Sequence, residues 1–428
     1  MVKSKAGWLL KRTVKKVWVR VGFFALLAVA TTGMAQMLAP FIPDGGKKLV
    51  GVDSVDKILE ILASSMLAVT IFSLSIAVAA FSAAAATATP RATELLEQDH
   101  TTQNALATFL GAFVFSLVGI IVLKADLYTD AGRLVLFTAT VVVVILVLVA
   151  LLRWISLLMR FGRMGDTLDR VEKAAVKALA DRVAEPYLGG RLLTAENVND
   201  ADRDGFAPVM ANSVGYIQHV DMQALSDCAD DMAADIQLAA LPGSFVHGDA
   251  PLLWVHAAPP SDKKVRTLCA AFTFAHDRTF DQDPRFGLIV LAEIASRALS
   301  PAVNDPGTAI NVIGRLVRIL STWDEPMDPP VSYPRVHVPT VGAAEMLEDA
   351  FRPIARDGAS MAEVQIRLQK AFVALARLAP DVFGEPARVL SAEAATRASG
   401  GGLLDEEMRT IRALSAQTSQ PADDSGQI

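Results

Sequence analysis

Two short stretches, DRTFDQDPRFG (Asp277–Gly287) and RALSPAVNDPGTA (Arg297–Ala309), concentrate the side chains of this chain that could do chemistry. Asp277, Arg278, Asp281, Gln282 and Asp283 come just before an apolar run; Glu293, Arg297, Asn304 and Asp305 sit on it and after it. Acids, guanidinium groups and amides at this density have two uses. They form a buried polar network that locks helix ends and turns, or they hold a small cationic or polar ligand or seat a neighbouring subunit. The residue types favour locking, because catalysis would also need a nucleophile or a metal and neither stands beside them. No Walker-type glycine loop, GxSxG elbow or HExxH pair occurs in the sequence. The histidines His100, His219, His247, His256, His276 and His337 lie in separate segments. His247 and His256 are close enough to share a hairpin, yet they have no evident carboxylate partner, so surface or satisfied histidines are expected rather than a metal site. Cys228 and Cys269 are isolated, which supports neither a disulfide framework nor a thiolate cage. No cofactor is expected, and an enzyme is the disfavoured class.

These residues are positioned by a helix, a punctuated turn and a second helix, FGLIVLAEIASRALSPAVNDPGTAINVIGRLVRIL. Glu293 and Arg297 have i,i+4 spacing for an ion pair. Asp305-Pro306 fits an N-cap followed by proline at the first helical position, with the Asp oxygen accepting from the amide of Gly307 or Thr308. Further helices are expected at Gly342–Arg356 and Met361–Leu378. A glycine run, Gly400–Gly402, then leads to a short amphipathic piece and a polar tail expected to be disordered. Upstream, Gly165–Ala184 carries Leu168, Val171, Ala175 and Leu179 at helical spacing. Between the helices lie β-like segments: Arg203–Val209, Ser213–His219, Asp235–Ala240, Ser244–His247 and Leu252–His256. Within them ALPGSFVHGDAPLLWV resembles the hairpin of barrel-sandwich hybrid carrier domains. The carrier lysine is missing from the intervening DMQALSDCADDMAAD, so shape without cofactor is expected.

The first third of the chain is of another kind. Four uncharged runs, Val21–Ala39, Ile61–Pro90, Ala105–Leu123 and Leu134–Leu152, are each long enough for a helix to cross a hydrocarbon core of ~30 Å. Val21–Ala39 is long for a signal core and reads as a retained span. Seven Lys/Arg in residues 1–20, with Arg153, Arg160 and Arg163 after the fourth run, place both termini in the cytoplasm of a bacterial inner membrane. Residues 1–160 carry a net charge of +6 and the remainder −12. An acidic domain repels phosphate backbones, so no nucleic-acid partner is expected.

The second run is depleted of bulk. Ser75, Ala79, Ser82, Ala86 and Thr89 fall at spacings of three and four, giving one helix face of small, weakly polar groups. Lipid gives no hydrophobic reward for helix association, so such a face marks close backbone packing. It is either a seam inside one subunit or the lining of a pore at an oligomer axis. In the second case Pro90 bends the helix outward, and Pro90, Arg91 and Glu94 ring the inner mouth. No charge lies between Leu62 and Thr89, which disfavours a proton relay. A second small patch, Gly111-Ala112 with Ser116 and Gly119, is expected to pack against the first.

The two polar stretches, together with SVGYIQHVD (Ser213–Asp221), PGSFVHGDAPL and Pro90-Arg91, resemble the bacterial membrane-protein family known as Domain of Unknown Function 2254. The resemblance runs from the first span to about Leu320. It departs at Gly307, where an aromatic is expected, and at Thr89, where Ser is expected. It implies an inner-membrane location and supplies no mechanism.

The expected architecture is an α+β membrane protein: a four-helix transmembrane region (1–160), a linking helix (161–187), a small barrel-sandwich-like β block (188–258), a helical bundle (259–400), and a short helix with a disordered tail (401–428). The leading functional expectation is a homo-oligomeric, channel-like assembly in the lipid bilayer for ions or small solutes, with a cytoplasmic gating or assembly domain. The alternative is a membrane-anchored sensor or scaffold whose cytoplasmic domain binds a partner or a small molecule of unknown identity.

Overall fold

The apolar runs fold as long helices. The computed structural model describes residues 52–87, 89–97, 100–125, 130–159, 163–194, 205–256, 259–323 and 329–419, with a few positions between 19 and 30. Contacts divide the chain into two units, Leu9–Thr167 and Leu168–Ile428.

In the first unit, α1 (Val52–Thr87), α2 (Pro90–Glu97), α3 (His100–Lys124) and α4 (Asp130–Leu158) follow one another. Among the described residues three stretches are long and apolar enough to span a membrane: Val55–Ala83, Thr101–Lys124 and Gly132–Leu158. The expected span Val21–Ala39 lies almost entirely outside the described residues. α1 packs on α3 through Val55, Leu59, Leu62, Met66 and Ala77, all buried. The small patch of α3 is also buried, and Gly119 receives the Leu59 side chain from α1. That patch therefore meets the bulky side of α1 and not its small-residue face.

Pro90 does not bend a continuous helix, as expected, but starts a new one. α1 ends at Thr87, and Thr89 caps α2 by accepting from the Ala92 amide at 3.4 Å. Proline is preorganised for the first helical position and its missing N–H is unneeded there.

In the second unit α5 (Met164–Ala184) buries the stripe Leu168, Val171, Ala175, Ala178 and Leu179. Among the described residues eight strands follow: β1 (Arg191–Leu192), β2 (Phe206–Met210), β3 (Gly215–Val220), β4 (Asp235–Leu238), β5 (Phe245–Val246), β6 (Pro251–His256), β7 (Phe272–Ala275) and β8 (Val336–Val338). They form a five-stranded sheet ordered β1-β8-β4-β6-β2 and a three-stranded sheet ordered β5-β3-β7. α6 (Met222–Met232) and α7 (Asp262–Ala270) belong to the same core, which gathers Leu225, Ile236, Leu252, Leu253, Val255, Leu268 and Val336.

The barrel-sandwich expectation gives way here. The two strands flanking HGDAP part company: β5 pairs with β3 in one sheet, while β6 pairs with β2 and β4 in the other. The β block also reaches beyond residue 258, since β7 and β8 come from later segments. Both strands are only three or four residues long and carry little signal of their own.

The remaining layer is helical: α8 (Phe286–Ala298), α9 (Pro306–Leu320), α10 (Ala343–Asp357), α11 (Ala362–Leu378), α12 (Pro380–Ser399) and α13 (Asp405–Gln417). α8 is its centre and buries most of its circumference, whereas α9 buries one stripe, Ala309, Val312, Ile313, Leu316 and Ile319. α12 was not among the expected helices. Pro380 opens it at the first position and Pro386 lies inside it, a composition that reads as loop until packing overrides it.

α5 lies against α8 so closely that a Cβ added at Gly287 would stand 2.3 Å from the Ala175 Cβ. Gly287→Ala sets two effects against each other. Helix propensity favours Ala by up to ~1 kcal/mol, but overpacking costs ~1–3 kcal/mol. The contact wins: thermal denaturation in detergent is expected to show a net loss of about 1–2 kcal/mol, and a stabilised variant would refute the close approach.

Candidate functional site

Two places gather the residues singled out above. The first is the outward face of α1. At 100° per residue, Ser75, Ala79 and Ser82 fall within one narrow arc, opposite Leu62, Met66, Ser73 and Ala77. Ser75, Ala79 and Ser82 are exposed, as are Ser64 and Ala68 on the same side; the opposite side is buried against α3. Ala68, Ser75 and Ser82 recur every seven residues, the spacing of a left-handed helix pair. The hydroxyls of Ser64 and Ser75 need no outside partner. Ser64 donates to the Glu60 carbonyl at 3.0 Å and Ser75 to the Ile71 carbonyl at 3.0 Å.

Thr89 does not continue this face. It is buried and spent on capping α2, so it is not a lining residue. Pro90 and Arg91 are exposed at the start of α2; the side chains of Ala86 and Glu94 lie outside the described residues.

The second place is a junction around Gln282 and Asp283. The Asp283 carboxylate is 4% exposed, a severe position for an ion. It accepts from Arg278 Nε at 2.7 Å and from the amides of Arg285 and Phe286 at 3.1 and 3.2 Å. The last two are the unsatisfied donors at the start of α8, so Asp283 closes that helix end. Burial pushes the Asp283 carboxyl up, and the Arg278 guanidinium and both amides pull it back down. Arg278 also lies over the Phe286 ring, 5.4 Å from its centroid.

Arg182, on α5, completes the junction. Its Nη2 donates to the Gln282 carbonyl at 3.0 Å and its Nη1 to that of Pro186 at 3.4 Å. Burial lowers this guanidinium to about 10, with the Asp283 charge opposing the shift, so it stays cationic at neutral pH. From the other side the Val220 amide donates to Gln282 Oε1 at 3.0 Å, and Gln218 Nε2 donates to the Asp277 carbonyl at 2.8 Å. Gly243 presses on the carboxylate: φ is +95°, and a Cβ there would stand 2.3 Å from Asp283 Oδ2. The Gln282–Asp283 pair thus ties together α5, β3, the turn before β5 and the start of α8.

The expected network is not one buried cluster. Asp277, Asp281, Asn304 and Asp305 are exposed, while Glu293 and Arg297 are half-buried on α8. Asp305 does what its position implies. Thr308 donates to it from the amide at 3.0 Å and from the hydroxyl at 2.6 Å, which holds the Asp305 carboxyl below its usual range. Asn304 precedes it with φ of +50°, a conformation Asn tolerates.

Arg182 was missed. Its position continues the apolar stripe of α5 three residues after Leu179, and a basic residue inside such a stripe is the signal that would have found it. The pairs that fix α5 to α9 were missed as well: Arg315 pairs with Asp169 at 2.7 Å and with Glu172, and Arg318 pairs with Glu172 at 2.8 Å. Long-range pairs of this kind leave no mark on local spacing.

The histidines stay apart. His247 follows β5 and His256 ends β6, in different sheets, with His256 stacked on Phe206 at 4.6 Å. Among the described residues no group of three or more His, Cys, Asp or Glu is placed to hold a metal ion.

A family model described as a predicted membrane protein (DUF2254) matches residues 14–374. An uncharacterized protein of Mycobacterium bovis and one of Mycobacterium tuberculosis are each 28% identical over 261 residues, 59% of this chain and 48% of theirs. The chain spans about half the length of these curated relatives. No solved structure matches it.

Two substitutions test the local accounts. Asp283→Ala leaves Arg182 buried without a counter-charge and two helix amides unsatisfied, so it is expected to cost about 4 kcal/mol in denaturant titration. A cost under about 1 kcal/mol would remove Asp283 from its central place. Asp305→Ala is expected to cost about 1 kcal/mol at pH 7. Because the folded carboxyl is depressed, that contribution is full above the ordinary aspartate range and fades as pH falls through the depressed value. Asp305→Asn, also a good cap, keeps the stability and loses its pH dependence.

Proposed function

We propose, from the premise that the chain belongs to the DUF2254 family of predicted membrane proteins, that it forms a homo-oligomeric, channel-like assembly passing ions or small solutes. The observation carrying this reading is the exposed α1 face, Ser64, Ala68, Ser75, Ala79 and Ser82, interrupted by the exposed Ile71 and lying opposite the side that packs on α3. A face of small groups at heptad spacing lets a second helix approach closely. Several copies around an axis would leave a narrow path lined by hydroxyl oxygens and methyl groups. The basic flanks support an inner-membrane orientation with both termini, and therefore the acidic α+β unit, in the cytoplasm. There the α+β unit would act as assembly ring or gate.

Ala79→Cys tests the packing and Ala79→Trp the path. Mild oxidation of the Cys variant in membranes is expected to yield covalent dimers. The Trp variant, reconstituted in bilayers, is expected to lose at least nine-tenths of the wild-type conductance. Dimers formed by a chain that carries no current would instead favour a membrane-anchored scaffold. Absence of dimers would remove the shared α1 face altogether.

A further inference from the structure

The last helix, α13, is held by very little. Met408 and Ile411 are its buried apolar side chains, packed with Ala398 and against Ile366 and Ala395 of the layer beneath. Leu403 and Leu414 are only half-buried, and Leu404 is 70% exposed. A helix of 13 residues is marginal alone, so α13 owes its order to this one slot. Both α12 and α13 also lie beyond the stretch that the family model matches.

Its polar contacts are arranged so that departure orphans no buried group. Ser415 Oγ lies 2.8 Å from Ser391 Oγ, and Thr418 Oγ1 lies 3.5 Å from the same oxygen. Ser391 is already satisfied without them: its hydroxyl donates to Gln369 Oε1 at 2.6 Å, and Gln369 Nε2 donates to the Ser391 carbonyl at 3.1 Å. Thr418 has its own acceptor in the Ser415 carbonyl at 2.6 Å. An unsatisfied buried partner adds a cost to peeling a helix away, and the bonds of Ser391 and Thr418 avoid it among the described residues.

α13 also carries its own terminators. Glu407 accepts from the Leu404 amide at 2.8 Å, three acids fill the first turn, and Arg409 pairs with Glu406. The hinge is defined too. Gly401 is wedged against the Ala359 backbone, which anchors the connection, whereas Gly402 has φ of +77° and no neighbour where a Cβ would stand.

From these observations we propose that α13 is a releasable strap that pivots at Gly402 and fills, within its own chain, a helix-binding slot formed by Ile366, Ala395 and Ala398. Released, it bares an apolar surface matched to an amphipathic helix with apolar residues three apart. The inference does not depend on the conduit reading, since every contact it uses lies within residues 359–419.

Hydrogen exchange on the full chain in detergent micelles tests it. In the wild type, α13 amides are expected to exchange at least 100-fold faster than those of Leu368–Leu375 in α11, by local opening. Ile411→Asp is expected to abolish α13 protection while changing α11 rates less than threefold. A synthetic peptide of residues 403–419 is expected to bind that variant and to protect the slot, whereas the same peptide carrying Ile411→Asp should not. Equal protection of α13 and α11 in the wild type would overturn the proposal. So would loss of protection throughout α11 and α12 in the variant, or failure of the native peptide to bind it.

Discussion

An ion removed from water must find its compensation inside the fold, and Asp283 is where that requirement is sharpest. Its carboxylate is satisfied by one guanidinium and two amides, with a second buried guanidinium, Arg182, set against the neighbouring carbonyl. Each donor comes from a different commitment of the chain. Arg278 fixes the loop after β7, the amides fix the start of α8, and Arg182 fixes α5. Gly243 then has to be glycine, because the space its side chain would occupy is taken by the carboxylate. With α8 aimed in this way, its Gly287 accepts α5, and α9 presents Arg315 and Arg318 to Asp169 and Glu172. The start of α8, and with it the contact of α8 with α5, is thus fixed where one buried charge is compensated.

How much of this was legible depended on whether the signal was local. The Asp305 cap, the α8–turn–α9 unit and the five β-like segments carry their evidence within a few neighbours, and they fold as read. Asp283 was singled out for its company, but its partner Arg182 stands 101 positions earlier, where nothing short-range connects them. Asp277 and Asp281 have the same composition signal as Asp283 and are exposed, because spacing alone does not say which acids of a loop face inward. The hairpin around Gly248 failed for a topological reason: turn glycines announce a reversal but not that the two strands enter different sheets. On α1, Ser75, Ala79 and Ser82 share one exposed side, while Thr89 was assigned to it by spacing that ignores the end of the helix at Thr87.

Each of the two units has its own source of cohesion. Within the α+β unit, burial of side chains such as Leu252, Ile294 and Phe372 supplies the driving force. Among helices that cross lipid, that force is nearly absent, and closeness has to supply it. The buried Gly119 beneath Leu59 and the exposed Ser75, Ala79 and Ser82 are then the same device on two helices. In one case the approaching helix belongs to the same chain. In the other the described chain provides none, and the proposed second copy is the neighbour that would complete it.

The hydroxyls of that face also bear on what a shared path would admit. Ser64 and Ser75, like Ser65 and Thr70 elsewhere on α1, each turn the hydroxyl hydrogen onto a carbonyl of the preceding turn. Of these, Ser64 and Ser75 are exposed, so their outward surface is oxygen lone pair rather than O–H donor. Two such acceptors, separated by Ala68 and the exposed Ile71 side chain, would replace part of a cation's hydration and offer nothing to an anion. With no lysine or arginine between Leu62 and Thr89 to reverse that sign, a path built from this face in the proposed assembly would suit small cations better than anions.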